Sequence, residues 1–327
     1  MQLDRLPEMA VIVVTPDRYE TIRKTMRHLR AQTVKERLEI VIVAPSGEKL
    51  DLVESEMEGF LQFRVVEFGS VRSSAVARAA GIREARAPVV VLTEDHSYPD
   101  PHWAEALLKA HQHSWAAVGP AVENANPGST ISWANLLIEY SEWLAPAPAG
   151  VVNYLPGHNS SYKRTILLDY GQALDALLES EVVLHWDLQR KGYQLFLEPA
   201  AKTSHLNFSD PFAWLPLRFL CGRLFAQIRR ESERWSLPRR LLFIGGSPLI
   251  PFVRLWRILR VLRTPGRSHH LLPRVLPALL VGLILDAIGE LFGYTFSKQD
   301  VSEKLFDLDF HRHRFLRKKD QDEIYPE

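Results

Sequence analysis

The amino-acid sequence predicts an α/β fold in which a mostly parallel sheet is flanked by helices and followed by a helical extension. Over about the first two hundred residues, short runs rich in valine and isoleucine alternate with longer helical stretches. Parallel strands joined by crossover helices are buried on both faces, so they form continuous apolar runs. Beyond residue 210 the chain becomes rich in arginine, proline and apolar residues. We therefore predict two domains, 1–210 and 211–327.

The elements of the first domain are assigned from these runs and from the turn residues between them. Strands are predicted at 9–14, 38–44, 63–66, 88–92, 116–120 and 193–197. Helices are predicted at 18–31, 49–58, 73–85, 100–113 and 130–143, with a further helix after Asp175 that ends at Gly192. The segment 153–162 is predicted to be a polar loop. A hydrophobic fraction of 46% and a charged fraction of 24% are those of an ordinary globular protein.

The second domain is strongly cationic. Between Phe212 and Arg274 the sequence contains thirteen arginines, no lysine and two acidic residues. Eight prolines from 211 to 277 predict a region broken into short helices, of which 252–263 is the clearest. Arginines at every third position of this helix cover about half of its surface, and the remainder is apolar. This pattern is typical of a helix lying in a bilayer interface, so we predict an anionic membrane surface as a partner.

One apolar run, 275–285, bears on how the chain would meet a membrane. It contains eleven uncharged residues, whereas a transmembrane helix needs about 20. Arg274 precedes the run, and Asp286 and Glu290 follow it. The run therefore predicts either a monotopic or re-entrant membrane segment or a hairpin buried in a protein core. The surrounding arginines favour the membrane.

The cysteine content and the first residues predict the compartment. Cys221 is the single cysteine, so an intramolecular disulfide is excluded and a reducing environment is expected. The segment before Met9 is too short and too acidic for a cleavable leader. We expect a cytoplasmic protein that is associated with the inner face of the cell membrane, and we predict no nucleic-acid partner.

An acidic cluster, Glu94-Asp95-His96, directly follows the predicted strand 88–92. Open α/β sheets bind their ligands at the carboxyl ends of strands, and carboxylate and imidazole groups are common metal ligands. The segment 98–103 then turns the chain into a helix, which predicts a short, stiff loop. By itself, such a triplet is more often an acidic helix-capping turn than a metal site.

Taken in order, several motifs resemble those of family 2 glycosyltransferases, which have the GT-A fold, use nucleotide sugars and invert the anomeric centre. The resemblance covers 9–207 and rests on Thr15-Pro16, Ala77-Arg78-Ala79-Ala80-Gly81-Ile82, Glu94-Asp95-His96, the segment 155–164, Glu179-Ser180-Glu181 and Pro199-Ala200-Ala201 with His205. It implies a Rossmann-like GT-A sheet. Ser46 lies where the family usually has an acidic pair that grips base and ribose. The resemblance assigns nucleotide-sugar contacts to Thr15, Pro16, Ser46, Arg78, Glu94 and Asp95.

The same resemblance implies a divalent metal, Mn²⁺ or Mg²⁺. It assigns the metal ligands to Glu94, Asp95, His96 and His205, with His96 in the place of the usual carboxylate. Gly157, His158 and Asn159 resemble the family's loop that borders donor sugar and acceptor. Without the resemblance, this loop would be interpreted as a helix-capping turn.

Two acidic residues ahead of Gly192-Tyr193 resemble the family's catalytic acidic pair. Counting back from Gly192 places Glu181 on the catalytic aspartate of the family, with Glu179 as the second candidate. A carboxylate is needed there because the acceptor hydroxyl must lose its proton in the transition state. Without the resemblance, a solvated acidic helix face would be the alternative.

The predicted function is an inverting, metal-assisted transfer of a sugar from a nucleoside-diphosphate sugar to a lipid-linked or polysaccharide acceptor. The glutamine-x-x-arginine-tryptophan signature of processive synthases is missing, since Arg234-Trp235 follows Glu231-Ser232-Glu233. A hexosyltransferase that adds one sugar is therefore favoured over a polymerase. Two alternatives remain: a non-catalytic relative that binds nucleotide sugar or membrane, and a sugar nucleotidyltransferase. The second is less favoured because Thr15-Pro16 does not begin a glycine-rich phosphate loop.

Overall fold

The computed structural model describes residues 6–157, 159–264, 269–296 and 302–324. The chain forms two compact units. Residues 1–123 and 147–204 form the first, which we call the sheet unit. Residues 124–146 and 205–327 form the second, the helical unit. The division does not follow a single cut in the chain, because 124–146 groups with the C-terminal residues.

A nine-stranded mixed sheet is the framework of the sheet unit. Its strands are β1 (Met9–Val14), β2 (Leu38–Ala44), β3 (Gln62–Glu67), β4 (Val89–Thr93), β5 (Ser97–Pro99), β6 (Ala117–Asn124), β7 (Gly150–Val152), β8 (Ser161–Lys163) and β9 (Leu195–His205). Their order is β3-β2-β1-β4-β8-β6-β9-β5, and β7 pairs with β9. The pairs β1–β2, β1–β4 and β2–β3 are parallel, whereas β8 is antiparallel to both β4 and β6.

The helices follow the strands in the alternation that the sequence predicts. They are α1 (Tyr19–Arg30), α2 (Gly47–Leu50), α3 (Ser74–Glu84), α4 (Trp103–Ala110), α5 (Thr130–Tyr140), α6 (Arg164–Leu168), α7 (Ala173–Leu177), α8 (Glu181–Arg190), α9 (Pro211–Ser232), α10 (Leu237–Gly246), α11 (Ile250–Leu262), α12 (Leu272–Thr295), α13 (Ser302–Phe310) and α14 (Lys318–Ile324). The predicted α/β class with a helical C-terminal extension is confirmed.

The central strands are buried throughout, as their apolar sequences predict. Every residue of β1 and β2 is buried, including the carboxylate of Glu39. Glu39 is compensated by Arg64, whose Nε donates to Oε1 at 3.0 Å, and by the backbone N–H groups of Arg86 and Ala87, which donate to Oε2. A buried carboxylate is tolerated only with such partners. Glu39 is therefore a structural residue of the sheet.

Several local predictions are wrong where tertiary contacts decide the structure. The predicted helix 49–58 is instead α2 and a separate 3₁₀ turn at 54–57, because Asp51 adopts the left-handed conformation (φ 54°) and ends α2. The helix predicted after Asp175 is interrupted between α7 and α8, so Glu179 lies in the connection. The end of the predicted loop 153–162 belongs to β8, whose Tyr162 is fully buried.

The helical unit also differs from the prediction of short helices. Helix α9 has 22 residues with Pro216 inside it, and α12 has 24 residues with Pro277 inside it. Glycines in both helices permit close packing, since a Cβ on Gly222 would overlap the backbone of Asp286 and one on Gly289 that of Phe219. This packing offsets the backbone hydrogen bond that an internal proline removes. The run 275–285 is thus part of one long helix.

A buried ion network holds the polar face of α12 inside the helical unit. Asp286 accepts from Arg218 Nε at 3.0 Å and from Arg254 Nη1 at 2.8 Å. Arg218 also donates to Glu139 of α5 at 2.7 Å. Glu290 lies 3.7 Å from Arg254. The two acids that end the apolar run of the sequence therefore face protein partners.

Candidate active site

The acidic turn after β4 is held by the side chain of Thr25 from α1. Thr25 Oγ1 lies 2.7 Å from the carbonyl oxygen of Asp95, 3.1 Å from that of Ser97 and 3.3 Å from that of Glu94. A short strand, β5, follows at once, so both ends of the turn are fixed in the sheet. Glu94, Asp95 and His96 are all buried. The stiff loop predicted from the sequence is therefore anchored by a helix that precedes it by about seventy residues.

Within this turn, Asp95 orients His96. Asp95 Oδ1 lies 2.6 Å from Nδ1 of His96, and Nε2 lies 3.4 Å from Oε2 of Glu94. A carboxylate accepts, so Nδ1 carries a proton in this contact. A carboxylate that fixes the tautomer of a ligating histidine is a recurrent feature of metal sites. Oε2 of Glu94 and Nε2 of His96 thus face each other, and Asp95 contacts the other ring nitrogen of His96.

A second contact to Glu94 comes from Asn159. The backbone N–H of Asn159 donates to the carbonyl oxygen of Leu92 at 2.6 Å, and Nδ2 donates to Ser97 Oγ at 3.0 Å. Ser97 Oγ in turn donates to Glu94 Oε2 at 3.1 Å, and Asn159 Nδ2 lies 3.4 Å from the same oxygen. Asn159 adopts φ 76°, a left-handed conformation that asparagine tolerates better than most residues. One oxygen of Glu94 is thereby held in place.

Glu181 is the first residue of α8, and its carboxylate is buried against Arg78 of α3. Arg78 Nη1 donates to Glu181 Oε1 at 3.1 Å, and both side chains are less than 10% exposed. The guanidinium and the positive end of the α8 dipole both stabilise negative charge at this position. The family resemblance assigns a nucleotide contact to Arg78. In the structure, its guanidinium is paired with the carboxylate of Glu181, the predicted base.

The loop that begins at Gly157 packs directly on Glu181. A Cβ on Gly157 would lie 2.6 Å from Glu181 Cβ and 2.8 Å from both Cδ and Oε2, so only glycine fits there. Two residues further on, Asn159 contacts Glu94. One short loop thus contacts the predicted base at one end and the predicted metal ligand at the other. His158, which lies between them, is outside the described residues.

Beneath Glu181, His185 and Tyr162 form a buried pair that the sequence analysis did not identify. The N–H of Leu155 is 3.4 Å from His185 Nδ1, and His185 Nε2 is 2.9 Å from the hydroxyl of Tyr162. Burial lowers the pKa of His185 to about 4, although the charge of Glu181 acts in the opposite direction. His185 is therefore neutral near pH 7 and supports the loop before Gly157. Only the three-dimensional contact shows this role, because the sequence gives no signal that links 155, 162 and 185.

The remaining predicted residues occupy separate positions. Thr15 is buried after β1, with its Oγ1 accepting from the N–H of Asp17, and Pro16 follows it. Ser46 caps α2 by accepting from the N–H of Lys49 at 3.1 Å. An open cleft beside it is lined by Arg18, Ser46, Glu48, Lys49 and Asp51. Ser46 is the predicted nucleotide contact that lies in this cleft. Glu179 accepts from Ser73 Oγ at 3.0 Å.

His205 is the last residue of β9 and is counted in the helical unit. It is buried, and its ring lies 4.6 Å from that of Tyr140 between centroids. The part that the resemblance assigns to it in binding metal or diphosphate stays a prediction. Within the helical unit, Nη1 of Arg312 lies 3.2 Å from its Nε2.

Comparisons with known proteins agree with the fold and with the family that the motifs indicate. The family model described as "Glycosyl transferase family 2" matches residues 10–171, a range that ends before Glu181. A curated relative, the poly-beta-1,6-N-acetyl-D-glucosamine synthase of Staphylococcus aureus (strain COL), is 22% identical over 211 residues. That alignment covers 62% of this chain and 50% of the relative, so the chain spans about half the length of the curated relatives it matches.

A solved structure resembles most of the chain in fold. It is the mannosyltransferase PcManGT from Pyrobaculum calidifontis in complex with GDP-Man and Mn²⁺. The two chains superpose with a TM-score of 0.56 at 17% sequence identity, and 88% of each chain is covered. At this identity the likeness is one of fold.

Proposed function

The chain carries a family 2 glycosyltransferase domain, and on this premise we propose that it transfers a sugar from a nucleoside-diphosphate sugar by a single inverting displacement. The observation that carries the proposal is the loop 157–159, which contacts Glu181 through Gly157 and Glu94 through Asn159. A base and an anion-neutralising site are the two chemical groups that such a displacement requires.

In the proposed reaction, the acceptor hydroxyl attacks the anomeric carbon while Glu181 takes the hydroxyl proton. The bond from the anomeric carbon to the diphosphate oxygen breaks, and its electron pair leaves with the diphosphate. Arg78 holds the Glu181 carboxylate in place at 3.1 Å. Because the base and the leaving group lie on opposite faces of the sugar, the configuration at the anomeric carbon is inverted.

A divalent cation fits the donor set of the acidic turn. Glu94 would supply a carboxylate oxygen, and His96 would supply Nε2, the ring nitrogen that does not contact Asp95. Mn²⁺ accepts both kinds of ligand, while Mg²⁺ prefers oxygen alone. A bound cation would offset the negative charge that develops on the departing diphosphate. The solved neighbour was obtained with GDP-Man and Mn²⁺, and this supports Mn²⁺ as the first ion to test.

The purified chain, incubated with Mn²⁺ and a panel of nucleotide sugars, is expected to hydrolyse one donor slowly to the nucleoside diphosphate. GDP-mannose and UDP-N-acetylglucosamine come first, in view of the solved neighbour and the curated relative. Release of diphosphate can be followed by coupled assay and by chromatography. Tight nucleotide binding with no turnover of any donor would favour the non-catalytic relative. Formation of nucleotide sugar from sugar phosphate and nucleoside triphosphate would favour the nucleotidyltransferase.

We further propose that the acceptor is lipid-linked or is a glycan assembled at a membrane. The stretches Leu237–Leu262 and Leu272–Thr295 are long and apolar enough to cross a bilayer by length and composition, a test that core helices of soluble proteins also pass. Asp286 is buried on one face of α12, whereas Ile284 and Ile288 are more than a third exposed on another. On α11, Phe252 and Trp256 are 70% and 59% exposed. Apolar surface of this extent favours contact with lipid tails.

Replacing both Phe252 and Trp256 with serine is expected to lower the fraction of protein that floats with vesicles. The loss of apolar burial in the bilayer should reduce partitioning by roughly ten- to a hundredfold. Flotation on vesicles of phosphatidylethanolamine and phosphatidylglycerol at high salt measures this effect. Phe63→Ser with Val151→Ser removes two exposed apolar side chains of the sheet unit and serves as the matched control. Equal flotation of the two double variants would contradict the membrane proposal.

The exposed arginines of α11 allow a second test, which measures binding to anionic vesicles. Arg257 and Arg260 are exposed, and Arg260 lies over the ring of Trp256 at 5.7 Å. Replacing both with glutamine should weaken binding to anionic vesicles at low salt, by roughly 1 kcal/mol for each charge, and leave binding to neutral vesicles unchanged.

A further inference from the structure

Three side chains of the sheet unit contact the backbone of the segment 94–100, which contains the acidic turn. Thr25 and His28 lie three residues apart on α1, and Gln32 follows the C-terminal end of this helix. Residues three or four positions apart lie on the same face of a helix. The three side chains therefore form one row along the segment. We call Thr25, His28 and Gln32 the α1 clamp.

The hydroxyl of Thr25 contacts the acidic turn itself. Thr25 is fully buried, and its Oγ1 lies 2.7 Å from the carbonyl oxygen of Asp95 and 3.1 and 3.3 Å from those of Ser97 and Glu94. A hydroxyl donates one proton, so these carbonyl groups share a single donor, and the contact with Asp95 is the shortest. The side chain of Asp95 contacts His96 Nδ1. Thr25 thus holds the backbone of the residue that contacts a predicted metal ligand.

The other two members of the clamp extend these contacts through β5 to the start of α4. His28 Nδ1 lies 3.3 Å from the carbonyl oxygen of Pro99, which accepts its proton. Gln32 Nε2 donates to the carbonyl oxygen of Asp100 at 2.8 Å, and its Oε1 accepts from the N–H of Ala104 at 2.9 Å. Exchanging the oxygen and nitrogen of the Gln32 amide would turn both contacts into repulsions, so its orientation is fixed.

We propose that the α1 clamp holds the acidic turn in its ligand-binding conformation by contacts within the chain alone, and that Thr25 is a positioning residue for Glu94 and His96. The proposal rests on the function proposed above and concerns only the sheet unit. Ordering a flexible turn costs conformational entropy. A turn that the protein itself has ordered does not incur this cost when it binds a ligand.

The consequence of losing the Thr25 hydroxyl follows from the burial of the turn. Glu94, Asp95 and Ser97 are buried, so their carbonyl oxygens would lose a donor that water does not replace in the closed turn. Opening the turn to water would restore hydrogen bonds to these oxygens. Cation binding would then have to close the turn again, and the measured affinity would fall.

The first measurement is hydrogen exchange of peptides that cover 93–100 in the full-length, metal-free chain. The wild-type turn should exchange slowly, and added Mn²⁺ should change the rate by less than about threefold. Thr25→Val keeps the shape of the side chain and removes the donor. In this variant the same peptides should exchange on the order of tenfold faster or more, and Mn²⁺ should restore part of the protection.

The second measurement is the affinity for Mn²⁺, obtained from the electron paramagnetic resonance signal of the free ion. Thr25→Val should bind on the order of tenfold more weakly than the wild type, because closing the turn now opposes binding. Thr25→Ser keeps the hydroxyl and should remain within about threefold of the wild type in both measurements. A residue that only stabilises the fold would not produce this local difference between serine and valine.

Two further variants keep the result interpretable. Thr21→Val makes the same substitution one turn earlier on α1, at a partly exposed position, and should change neither measurement. His28→Phe removes another donor of the clamp and keeps a ring that can stack on Tyr98, whose centroid is 5.3 Å from that of His28. It should change both measurements in the same direction as Thr25→Val, and it replaces that variant if the latter does not fold.

The failures of the two proposals are distinguishable. A wild-type chain that neither binds Mn²⁺ nor turns over any donor would overturn the proposed function, whereas slow exchange of its turn that Thr25→Val abolishes would still support the clamp. Fast exchange of the wild-type turn would overturn the clamp. A folded Thr25→Val with unchanged exchange or unchanged Mn²⁺ affinity would also overturn it. So would a Thr25→Ser variant that behaves like Thr25→Val, because the hydroxyl is still present there.

Discussion

Glu181→Gln is expected to lower kcat by roughly 10²–10⁴-fold, the range that a positioned general base contributes. Glutamine has the same shape as glutamate, so it fits beside Gly157, where space is limiting. Its amide oxygen can still accept from Arg78, which keeps the local structure intact. The amide cannot take up the acceptor proton. Nucleotide affinity, measured by calorimetry, should therefore stay within about threefold while turnover collapses.

Glu179→Gln is the matched control for this variant. The two carboxylates are two residues apart, but Glu179 accepts from Ser73, whereas Glu181 is paired with Arg78. If Glu181 is the base, Glu179→Gln should retain turnover within a few-fold. A fall in kcat in the Glu179 variant, with full activity in the Glu181 variant, would transfer the role to Glu179. Full activity in both would exclude this acidic pair from proton transfer.

The part of the fold that could be predicted from sequence is the part that is buried on both faces. Strands β1, β2 and β4 are continuous apolar runs because they lie in the middle of the sheet, and their ends were predicted within a residue or two. The prediction of β4 also gave the position of Glu94 at its carboxyl end. Local sequence is informative in such places because burial leaves few residue types that fit.

Elements that depend on distant partners could not be predicted. Strands β5, β7 and β8 have three residues each, and their conformation is set by pairing with other strands. Proline was given too much weight in α9 and α12, where packing between the two helices outweighs the lost hydrogen bonds. Short strands and packed helices have little local signal, so only the tertiary structure reveals them.

In the candidate site, contacts between residues that are far apart in the sequence could not be predicted. Arg78 and Glu181 were both identified from motifs, but their ion pair joins residues 103 positions apart and has no signature in one sequence. Asp95 is a predicted metal ligand, and its contact with Nδ1 of His96 could not be predicted from the sequence. The tertiary structure is therefore needed to show which side chains of the candidate site contact each other.

Glu94→Gln is expected to weaken Mn²⁺ binding by roughly two orders of magnitude or more and to lower turnover accordingly, since a neutral amide replaces the carboxylate ligand. Asp95→Asn should weaken Mn²⁺ binding by about 10–100-fold, the usual effect of losing the partner that orients a ligating histidine. Binding is measured by the signal of free Mn²⁺ in the presence of the nucleoside diphosphate. Glu105→Gln, which changes an exposed carboxylate bonded to Thr33, is the control and should have no effect.

His96→Asp separates the ligand role of the imidazole from its place in the fold. The substitution introduces the carboxylate that the family resemblance assigns to this position, so the variant should still bind a divalent cation. Because oxygen ligands suit Mg²⁺ better than nitrogen ligands do, activity with Mg²⁺ relative to Mn²⁺ should rise, by several-fold or more. His96→Ala should lose activity with both ions. Full activity of the chelator-treated wild type would show that His96 is not a metal ligand. The same conclusion would follow if His96→Asp and His96→Ala responded alike to the two ions. Other residues would then have to offset the charge on the departing diphosphate.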